Sequence, residues 1–196
     1  MHVSDLRETV IACVRRGVTH TPEPIQLASG AWSSDFIDAK AALSRGQDLA
    51  AACRAMIERA GDLGIEFDAV GGLTLGADQF AHGIAILGDV QWFVVRKAAK
   101  GRGTNKRVEG VALHEGMRVL LVDDVVTSGG SIQQAHEEIE KTGATTTGAL
   151  TLVDRGETAV TYFAAAGIPY GSLVTYRDLD IPPIPASSAL EAPSVR

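Results

Sequence analysis

Apolar positions along the chain alternate between a helical spacing and short continuous runs. Apolar residues spaced three or four apart predict helices at residues 4–16, 46–62, 77–87, 131–142 and 157–166. Short apolar runs between them predict strands at residues 68–73, 91–95, 118–122, 147–153 and 172–176. Strands that alternate with helices are typical of a parallel sheet covered on both faces. The pattern therefore predicts an α/β fold with a doubly wound parallel sheet.

Three stretches depart from this alternation and indicate how the chain is divided. Residues 24–40 are predicted to be irregular, and residues 96–110 to form a polar loop. Toward the C-terminus, prolines and small residues without periodicity predict disorder. We therefore expect an N-terminal segment at residues 1–45, an α/β core at residues 46–180, and a disordered tail at residues 181–196.

The composition fits a globular protein and argues against several classes of function. A length of 196 residues suits one domain with a full core, and 45% of the residues are hydrophobic. The net charge of −6 argues against general binding of nucleic acid or of anionic membranes. Cys13 and Cys53 lie in helical patterns and are expected to be buried free thiols. No apolar stretch reaches the length of a membrane span and no signal-peptide core is present, so we expect a cytoplasmic protein.

Residues 118–131 carry the strongest chemical signal in the chain. An apolar run predicts a buried strand that ends at Asp123 and Asp124. The Thr-Ser-Gly-Gly-Ser turn at residues 127–131 offers hydroxyls, backbone N–H groups and a helix N-terminus, with Ser131 as the predicted N-cap. Because open α/β sheets bind ligands at the carboxyl ends of their strands, this combination predicts a sugar-phosphate site. The alternative is an ordinary strand–turn–helix, which the repulsion between two adjacent carboxylates disfavours.

Two further segments have the composition of anion sites. Residues 96–107 contain six of the chain's 18 basic residues and no acid, which favours an anion site over a solvated loop or a nucleic-acid patch. Residues 71–78 read Gly-Gly-Leu-Thr-Leu-Gly-Ala-Asp and follow a strand, so their backbone N–H groups can approach an oxyanion closely. A plain tight turn is the alternative for this second segment. Histidines at zinc-binding spacing and a covalent catalytic constellation are both missing from the sequence.

These motifs resemble those of the type I phosphoribosyltransferases, which use phosphoribosyl pyrophosphate (PRPP). The resemblance covers residues 22–178 and implies that family's fold, with a small N-terminal hood on the core. It implies that the acid pair holds the ribose 2′- and 3′-hydroxyls and that the following loop wraps the 5-phosphate. The implied pyrophosphate loop is Leu73, Thr74, Leu75 and Gly76. The implied PRPP-binding residues are Arg96, Lys97, Lys100, Arg102, Asp123, Asp124, Val125, Val126, Thr127, Ser128, Gly129, Gly130 and Ser131.

The basic segment resembles the mobile catalytic loop of the orotate phosphoribosyltransferases, through its Val-Arg-Lys-x-x-Lys-x-x-Gly pattern. This resemblance implies a homodimer in which the loop at residues 96–110 completes the neighbour's site. Arg96, Lys100 and Arg102 would act there, while Lys97 would serve its own site. Arg102 stands where the family usually has histidine, and an arginine holds pyrophosphate oxygens but does not titrate near neutral pH. The implied catalytic residues are Lys100, Arg102, Asp123 and Asp124.

The acceptor-binding residues that the resemblance implies are Phe36, Thr127 and Arg155. Residues 27–38 resemble a stretch that lies near the orotate base in this family, where Phe36 would stack on the pyrimidine ring. A place for Phe36 in the core is the alternative. Arg155 ends another strand and would bind the orotate carboxylate, the alternative being a surface ion pair with Asp154.

The resemblance thus implies transfer of ribose 5-phosphate from PRPP to orotate, giving orotidine 5′-monophosphate and pyrophosphate in pyrimidine biosynthesis. Mg²⁺ would be held mainly through PRPP, with Asp123 and Asp124 as candidate additional ligands. Ala28 and Ala31 stand where basic residues occur in other members, and Arg102 stands where histidine is usual, which weakens the case for orotate. A type I phosphoribosyltransferase with a different base, or a non-catalytic PRPP-sensing regulator of the same fold, are therefore the alternatives.

Overall fold

The architecture is a six-stranded sheet between helices, together with a separate two-stranded hairpin. The computed structural model of the protein describes residues 3–98 and 106–185. The helices are α1 (Val3–Arg16), α2 (Ala39–Ala42), α3 (Gly46–Asp62), α4 (Asp78–Gly88), α5 (Gly130–Glu140) and α6 (Thr158–Ala165). The strands are β1 (Val18–Gln26), β2 (Trp32–Ile37), β3 (Ala69–Leu73), β4 (Gln91–Val95), β5 (Val108–Gly110), β6 (Arg118–Val126), β7 (Thr145–Asp154) and β8 (Tyr170–Thr175).

The large sheet has the order β5-β4-β3-β6-β7-β8, and its neighbouring strands are parallel except for β4 and β5. This confirms the predicted parallel α/β sheet. The prediction of a polar loop at residues 96–110 is wrong for residues 108–110, which form the antiparallel edge strand β5. The reason is that three residues with one apolar side chain are too short to show a periodicity.

Helices cover both faces of the sheet and create two hydrophobic clusters. Leu120 and Val122 of β6 pack into the cluster that includes residues of α1, α3 and α4, whereas Val119 and Leu121 pack into the cluster with α5 and α6. Successive side chains of a strand point to opposite faces, so a strand covered on both sides is apolar throughout. The prediction that this strand ends at residue 122 is wrong. Strand β6 continues to Val126, so the acid pair lies within the part of the strand that pairs with β7.

The hood is the β1–β2 hairpin, residues 18–37, whose strands pair antiparallel. The prediction of irregular structure at residues 24–40 is wrong for most of this segment. Pro22 and Pro24 lie in β1, and the register shifts between His20 and Ile25. Prolines and a bulge interrupt the alternating burial on which strand prediction depends, and both are tolerated because β1 pairs on one side only.

The predicted bounds of α3 and the predicted stop after α5 are confirmed, whereas the predicted N-cap of α5 is wrong. Helix α3 has the predicted bounds, and Gly143 adopts a left-handed φ of 81° shortly after α5, as a helix stop requires. Ser131 is not the N-cap of α5, since Gly129 takes that place with a φ of 76° and Ser131 lies inside the helix. Across the described ranges, none of the helices is long and apolar enough to cross a membrane.

The beginning of the predicted tail packs against the core. Ile184 is buried, and its backbone N–H donates to the carbonyl oxygen of Arg155 at 2.7 Å. In residues 181–185, an apolar residue between prolines thus packs beside β7, and the disorder of the tail stays a prediction. Residues 186–196 lie outside the described residues.

Candidate active site

The acid pair lies at the carboxyl end of the central strand β6. Asp123 is almost fully buried, and its Oδ1 accepts a hydrogen bond from the backbone N–H of Asp124 at 3.0 Å. Asp124 is more accessible, and its Oδ1 accepts from the backbone N–H of Val125 at 2.7 Å. Its Oδ2 lies 2.5 Å from Nζ of Lys40, on α2. Two adjacent carboxylates therefore have different partners and different contact with solvent.

Burial, reinforced by the charge of Asp124, raises the pKa of Asp123 to about 7, while Lys40 and Lys97 act in the opposite direction. A carboxyl group with this pKa exchanges its proton near neutral pH. Hydrogen-bond donors or positive charge brought into the site favour the ionised form. The acid pair is thus prepared for a ligand that supplies such donors.

The loop after β6 forms an anion site from backbone and hydroxyl groups. Residues 125–131 line a cavity of about 390 Å³ that ends at the N-terminus of α5. Backbone N–H groups at a helix N-terminus, together with the helix dipole, stabilise a bound phosphate or carboxylate. Lys97 lies on the wall of the same cavity. The residues predicted to form the phosphate loop thus line one cavity at this helix N-terminus.

The turn after β3 closes over the acid pair from the opposite side. Residues 73–76 line a cavity of about 790 Å³ together with Asp123, Asp124, Arg96 and Lys97. A Cβ atom at Gly76 would collide with the Oδ1 atoms of both acids, so only glycine allows this approach. The peptide between Thr74 and Leu75 is cis, and the Leu75 side chain is exposed.

The two ends of the basic loop, residues 96–97 and 106–107, form its stem. Arg107 holds these two ends together. Its guanidinium donates to the carbonyl oxygens of Arg96 and Lys97, at 3.0 and 2.8 Å, and forms an ion pair with Glu138 of α5 at 2.8 Å. Arg96 forms an ion pair with Glu109 at 3.2 Å. Arg107, one of the six basic residues of this segment, therefore links the loop stem to the helix behind residues 127–131.

A further cavity of about 370 Å³ adjoins the acid pair on the side of the hood. It is lined by Leu27, Ala28, Ser29, Phe36, Ile37, Asp38, Ala39, Lys40, Asp124, Val125, Thr127 and Arg155. The side chain of Phe36 is 42% exposed, so the alternative that placed it in the core is wrong. The three residues predicted to bind an acceptor base, Phe36, Thr127 and Arg155, thus share one cavity.

Arg155 connects this cavity to the hood. It is 1% exposed, and its two terminal nitrogens donate to the carbonyl oxygen of Asp35 at 2.8 Å and to Oγ of Ser33 at 3.1 Å. Its buried Nε has no hydrogen-bond partner among the described residues. Burial lowers the pKa of Arg155, and Asp35 opposes this effect. The alternative of a surface pair with Asp154 is wrong, because Asp154 is itself buried and accepts from Tyr170 and Gly156.

Comparison with known proteins identifies the family that has this fold and site. The model of the family described as phosphoribosyl transferase domain matches residues 40–161. The orotate phosphoribosyltransferase of Pyrococcus furiosus is 39% identical over 153 residues, which cover 78% of this chain and 84% of that protein. The chain is a member of the orotate phosphoribosyltransferase family.

Solved structures of orotate phosphoribosyltransferases agree with this membership. The Mycobacterium tuberculosis H37Rv enzyme in complex with Fe(III) dicitrate is 33% identical with a TM-score of 0.74, covering 90% of this chain and 99% of that chain. The same enzyme in complex with PRPP is 29% identical with a TM-score of 0.70, covering 89% and 92%. The chain therefore has the phosphoribosyltransferase fold over the hood and the sheet together.

The described residues of this orotate phosphoribosyltransferase-family chain bring most of the predicted site together. The acid pair, residues 125–131, residues 73–76, Arg96 and Lys97 line two adjoining cavities, and Phe36, Thr127 and Arg155 line the third. Lys100 and Arg102 lie outside the described residues, so their predicted roles stay predictions.

Sequence reasoning missed Lys40 and the structural role of Arg107. Lys40 lies in a four-residue helix directly after the hood, where no periodicity or motif marks it. Its partner Asp124 is 84 positions away. Arg107 has its partner, Glu138, 31 positions away. A lone lysine or arginine gives no signal for such contacts, because they are created only when the sheet brings the segments together.

Proposed function

We propose that the protein transfers ribose 5-phosphate from PRPP to orotate, giving orotidine 5′-monophosphate and pyrophosphate. The observation that carries this proposal is the convergence of three cavities on the acid pair. Two have the anion-binding groups that a phosphate and a pyrophosphate need, and the third has an aromatic ring and a buried arginine for a carboxylated base. The relatives described as orotate phosphoribosyltransferases support the same assignment.

The donor side has one group for each part of PRPP. The 5-phosphate would bind the N–H groups and hydroxyls of residues 127–131, and the ribose hydroxyls would donate to Asp123 and Asp124. The pyrophosphate would lie against residues 73–76 with Lys97 beside it, in the largest of the three cavities. Leu75 replaces a basic side chain there, so this turn would bind through its backbone.

Mg²⁺ fits this site as a partner of the substrate. Asp123 and Asp124 supply hard oxygen donors, but no group of three or more acidic, histidine or cysteine side chains suited to a metal is found in the described parts of the chain. Mg²⁺ commonly binds through one or two carboxylates, waters and substrate phosphates. When bound with PRPP, it would offset negative charge on the leaving group.

The reaction exchanges one bond at the ribose C1 for another. The bond between C1 and the pyrophosphate oxygen breaks and the electron pair leaves with pyrophosphate. A ring nitrogen of orotate forms the new bond to C1 and gives up its proton to solvent. The residues of this chain would position both reactants and stabilise the charge of the departing group. A protein nucleophile is not needed for this exchange.

The basic loop would complete the site of a second subunit. We infer that Arg96, Lys100 and Arg102 act in the partner's site, although Arg96 also lines the cavity of its own chain. Exposed apolar side chains favour a dimer, among them Leu75 at 71% and Ile86 at 81% exposure. Mixing Lys100→Ala with Asp124→Asn subunits should restore activity through heterodimers with one intact site. Absence of recovery after demonstrated subunit exchange would favour sites made by one chain.

The decisive experiment is the absorbance change of orotate on addition of PRPP and Mg²⁺. We expect turnover by the wild type and loss of turnover by Asp124→Asn at unchanged thermal stability. If orotate is not consumed, a panel of other bases identifies a phosphoribosyltransferase of different specificity. Binding of PRPP without turnover of any base would instead indicate a sensor.

A further inference from the structure

We propose that Lys40 is a positioning residue that gives the donor site its preference for ribose over 2-deoxyribose, by holding Asp124 ready to accept a sugar hydroxyl. The proposal rests on the proposed function, which assigns the acid pair to the sugar hydroxyls. It concerns a residue that none of the motifs includes.

The contact between the two residues is close and directional. Nζ of Lys40 donates to Oδ2 of Asp124 at 2.5 Å, and the backbone N–H of Val125 donates to Oδ1 at 2.7 Å. Both carboxylate oxygens therefore have a donor, and the plane of the carboxylate is fixed. Each oxygen retains further lone pairs that can accept from a ligand.

The local fold fixes the backbone from which Lys40 extends. Oδ1 of Asp38 accepts from the backbone N–H of Ala41 at 2.9 Å and caps α2. Ala39 and Ala42 are buried against the core on either side of Lys40 in sequence. The lysine side chain is 51% exposed and extends from this anchored turn to the acid pair.

Lys40 also lies where the sugar must be placed. It lines both the 790 Å³ cavity assigned to pyrophosphate and the 370 Å³ cavity assigned to the base, as does Asp124. The sugar joins these two groups chemically, so it must lie at the boundary that the two residues share. Ala28, on the walls of the same cavities, contributes no charge.

The charge of Lys40 keeps the two acids compatible. Asp123 and Asp124 are adjacent, and both oxygens that approach Gly76 are carboxylate Oδ1 atoms. Without Lys40, Asp124 would keep a backbone donor at Oδ1 but lose the donor and the positive charge at Oδ2. Its side chain would then turn away from Asp123, and a hydroxyl bound to it would lose a preorganised charged acceptor.

The test compares the binding of ribose 5-phosphate, 2-deoxyribose 5-phosphate and pyrophosphate by titration calorimetry in the presence of Mg²⁺. Wild type should bind the ribose compound more tightly than the deoxyribose compound. Lys40→Met should reduce this ratio of dissociation constants by about tenfold, the loss expected for one charged hydrogen bond. Lys40→Arg, which keeps the charge, should retain most of the ratio. Lys141→Met, which removes an exposed lysine paired with Glu138, should leave the ratio unchanged.

Three outcomes would overturn the proposal. The first is a wild-type protein without discrimination, and the second is an unchanged ratio in Lys40→Met. The third is that Lys40→Met loses the same affinity for both sugar phosphates and more affinity for pyrophosphate. That result would make Lys40 a direct anion ligand. Thermal unfolding of each variant separates these results from misfolding. Because the measurement uses no acceptor base, discrimination between the sugars without orotate turnover would contradict the proposed function and not the role of Lys40.

Discussion

The carboxyl end of the central strand and the hood differ in how they build the site. On the donor side, the acids and the phosphate loop come from consecutive residues at the end of β6 and the start of α5. On the acceptor side, Phe36 and Arg155 come from the hood and from the end of β7. Arg155 donates to the carbonyl of Asp35 across 120 positions. The part of the donor side proposed for the sugar and the 5-phosphate is local in sequence, whereas the acceptor side exists only through tertiary contacts.

This difference indicates how each half should respond to substitution. A local site made largely of backbone groups depends on the strand and helix that carry it, which are buried on both sides. The acceptor cavity includes Arg155, whose two hydrogen bonds join the hood to the core. Changes at the hood should therefore alter acceptor binding while donor binding survives, and the following predictions examine that separation.

Arg155→Met should have the largest effect. It removes both hydrogen bonds to the hood and leaves the carbonyl of Asp35 without this donor, at a cost of about 3 kcal/mol in unfolding free energy. We expect the orotate KM to rise by about a hundredfold, while the dissociation constant of PRPP changes little. Denaturant unfolding and steady-state kinetics measure the two effects. Arg54→Met, at an exposed position of α3, is the matched control. Equal losses in PRPP and orotate binding would contradict the separation of the two halves.

Asp123→Asn should stabilise the folded protein relative to wild type, by ~4 kcal/mol near pH 8. The pKa of Asp123 is raised from 3.8 to about 7 by burial and by Asp124. As pH rises through this window the unfolded chain loses its proton first, so wild-type stability falls. The asparagine avoids that cost and can still accept from the N–H of Asp124. The difference in unfolding free energy should vanish as the pH falls below the unfolded pKa of 3.8.

Asp178→Asn provides a control of opposite sign for this pH experiment. Burial alone would raise the pKa of Asp178, but hydrogen bonds from Thr175 and Arg7 outweigh it and lower the pKa. This carboxylate therefore contributes stability above its unfolded pKa that is lost as pH falls. The variant should be less stable than wild type at neutral pH. The same direction of change for Asp123→Asn would disprove the assigned environment of Asp123.

Arg107→Ala should weaken the donor side through the loop. The guanidinium joins the carbonyls of Arg96 and Lys97 to Glu138, so its removal releases the stem from α5. We expect kcat to fall by about tenfold, with a smaller change in the orotate KM, because loop closure becomes less probable. Lys141→Ala removes the other partner of Glu138 without touching the stem. Equal effects of the two substitutions would assign the loss to Glu138 and not to the loop.

Phe36→Leu should have the smallest effect and the most selective one. The ring is 42% exposed, so its replacement should change stability by less than about 1 kcal/mol. Loss of stacking should raise the orotate KM several-fold, equivalent to ~1 kcal/mol. Trp32→Leu is the matched control, because Trp32 is an exposed aromatic residue of β2 that lines none of the three cavities. Equal effects at both positions would remove Phe36 from acceptor binding.

The same division explains how much could be predicted from the sequence. The apolar run before Asp123 and the glycines after it predict a strand, a turn and a helix through local rules. These elements of the donor half could therefore be predicted from the sequence. The hood was not, since Pro22 and Pro24 remove the alternating pattern from β1. The contacts Lys40–Asp124 and Arg107–Glu138 join distant segments without a motif. The sequence indicates Arg155 as a candidate acceptor-binding residue. Its hydrogen bonds to Ser33 and Asp35 could not be predicted, because they form only when the hood is folded against β7.

The dual position of Arg155 makes occupancy of the acceptor cavity and attachment of the hood a single linked equilibrium. One edge of its guanidinium holds the hairpin, and the arginine also forms part of the cavity wall. Any ligand that requires the attached hood lowers the fraction of molecules in which the hairpin has opened, by the factor 1 + [L]/Kd. Exposure of residues 18–37 to a protease would then report ligand concentration, and the protein's lifetime would depend on the supply of its own substrate.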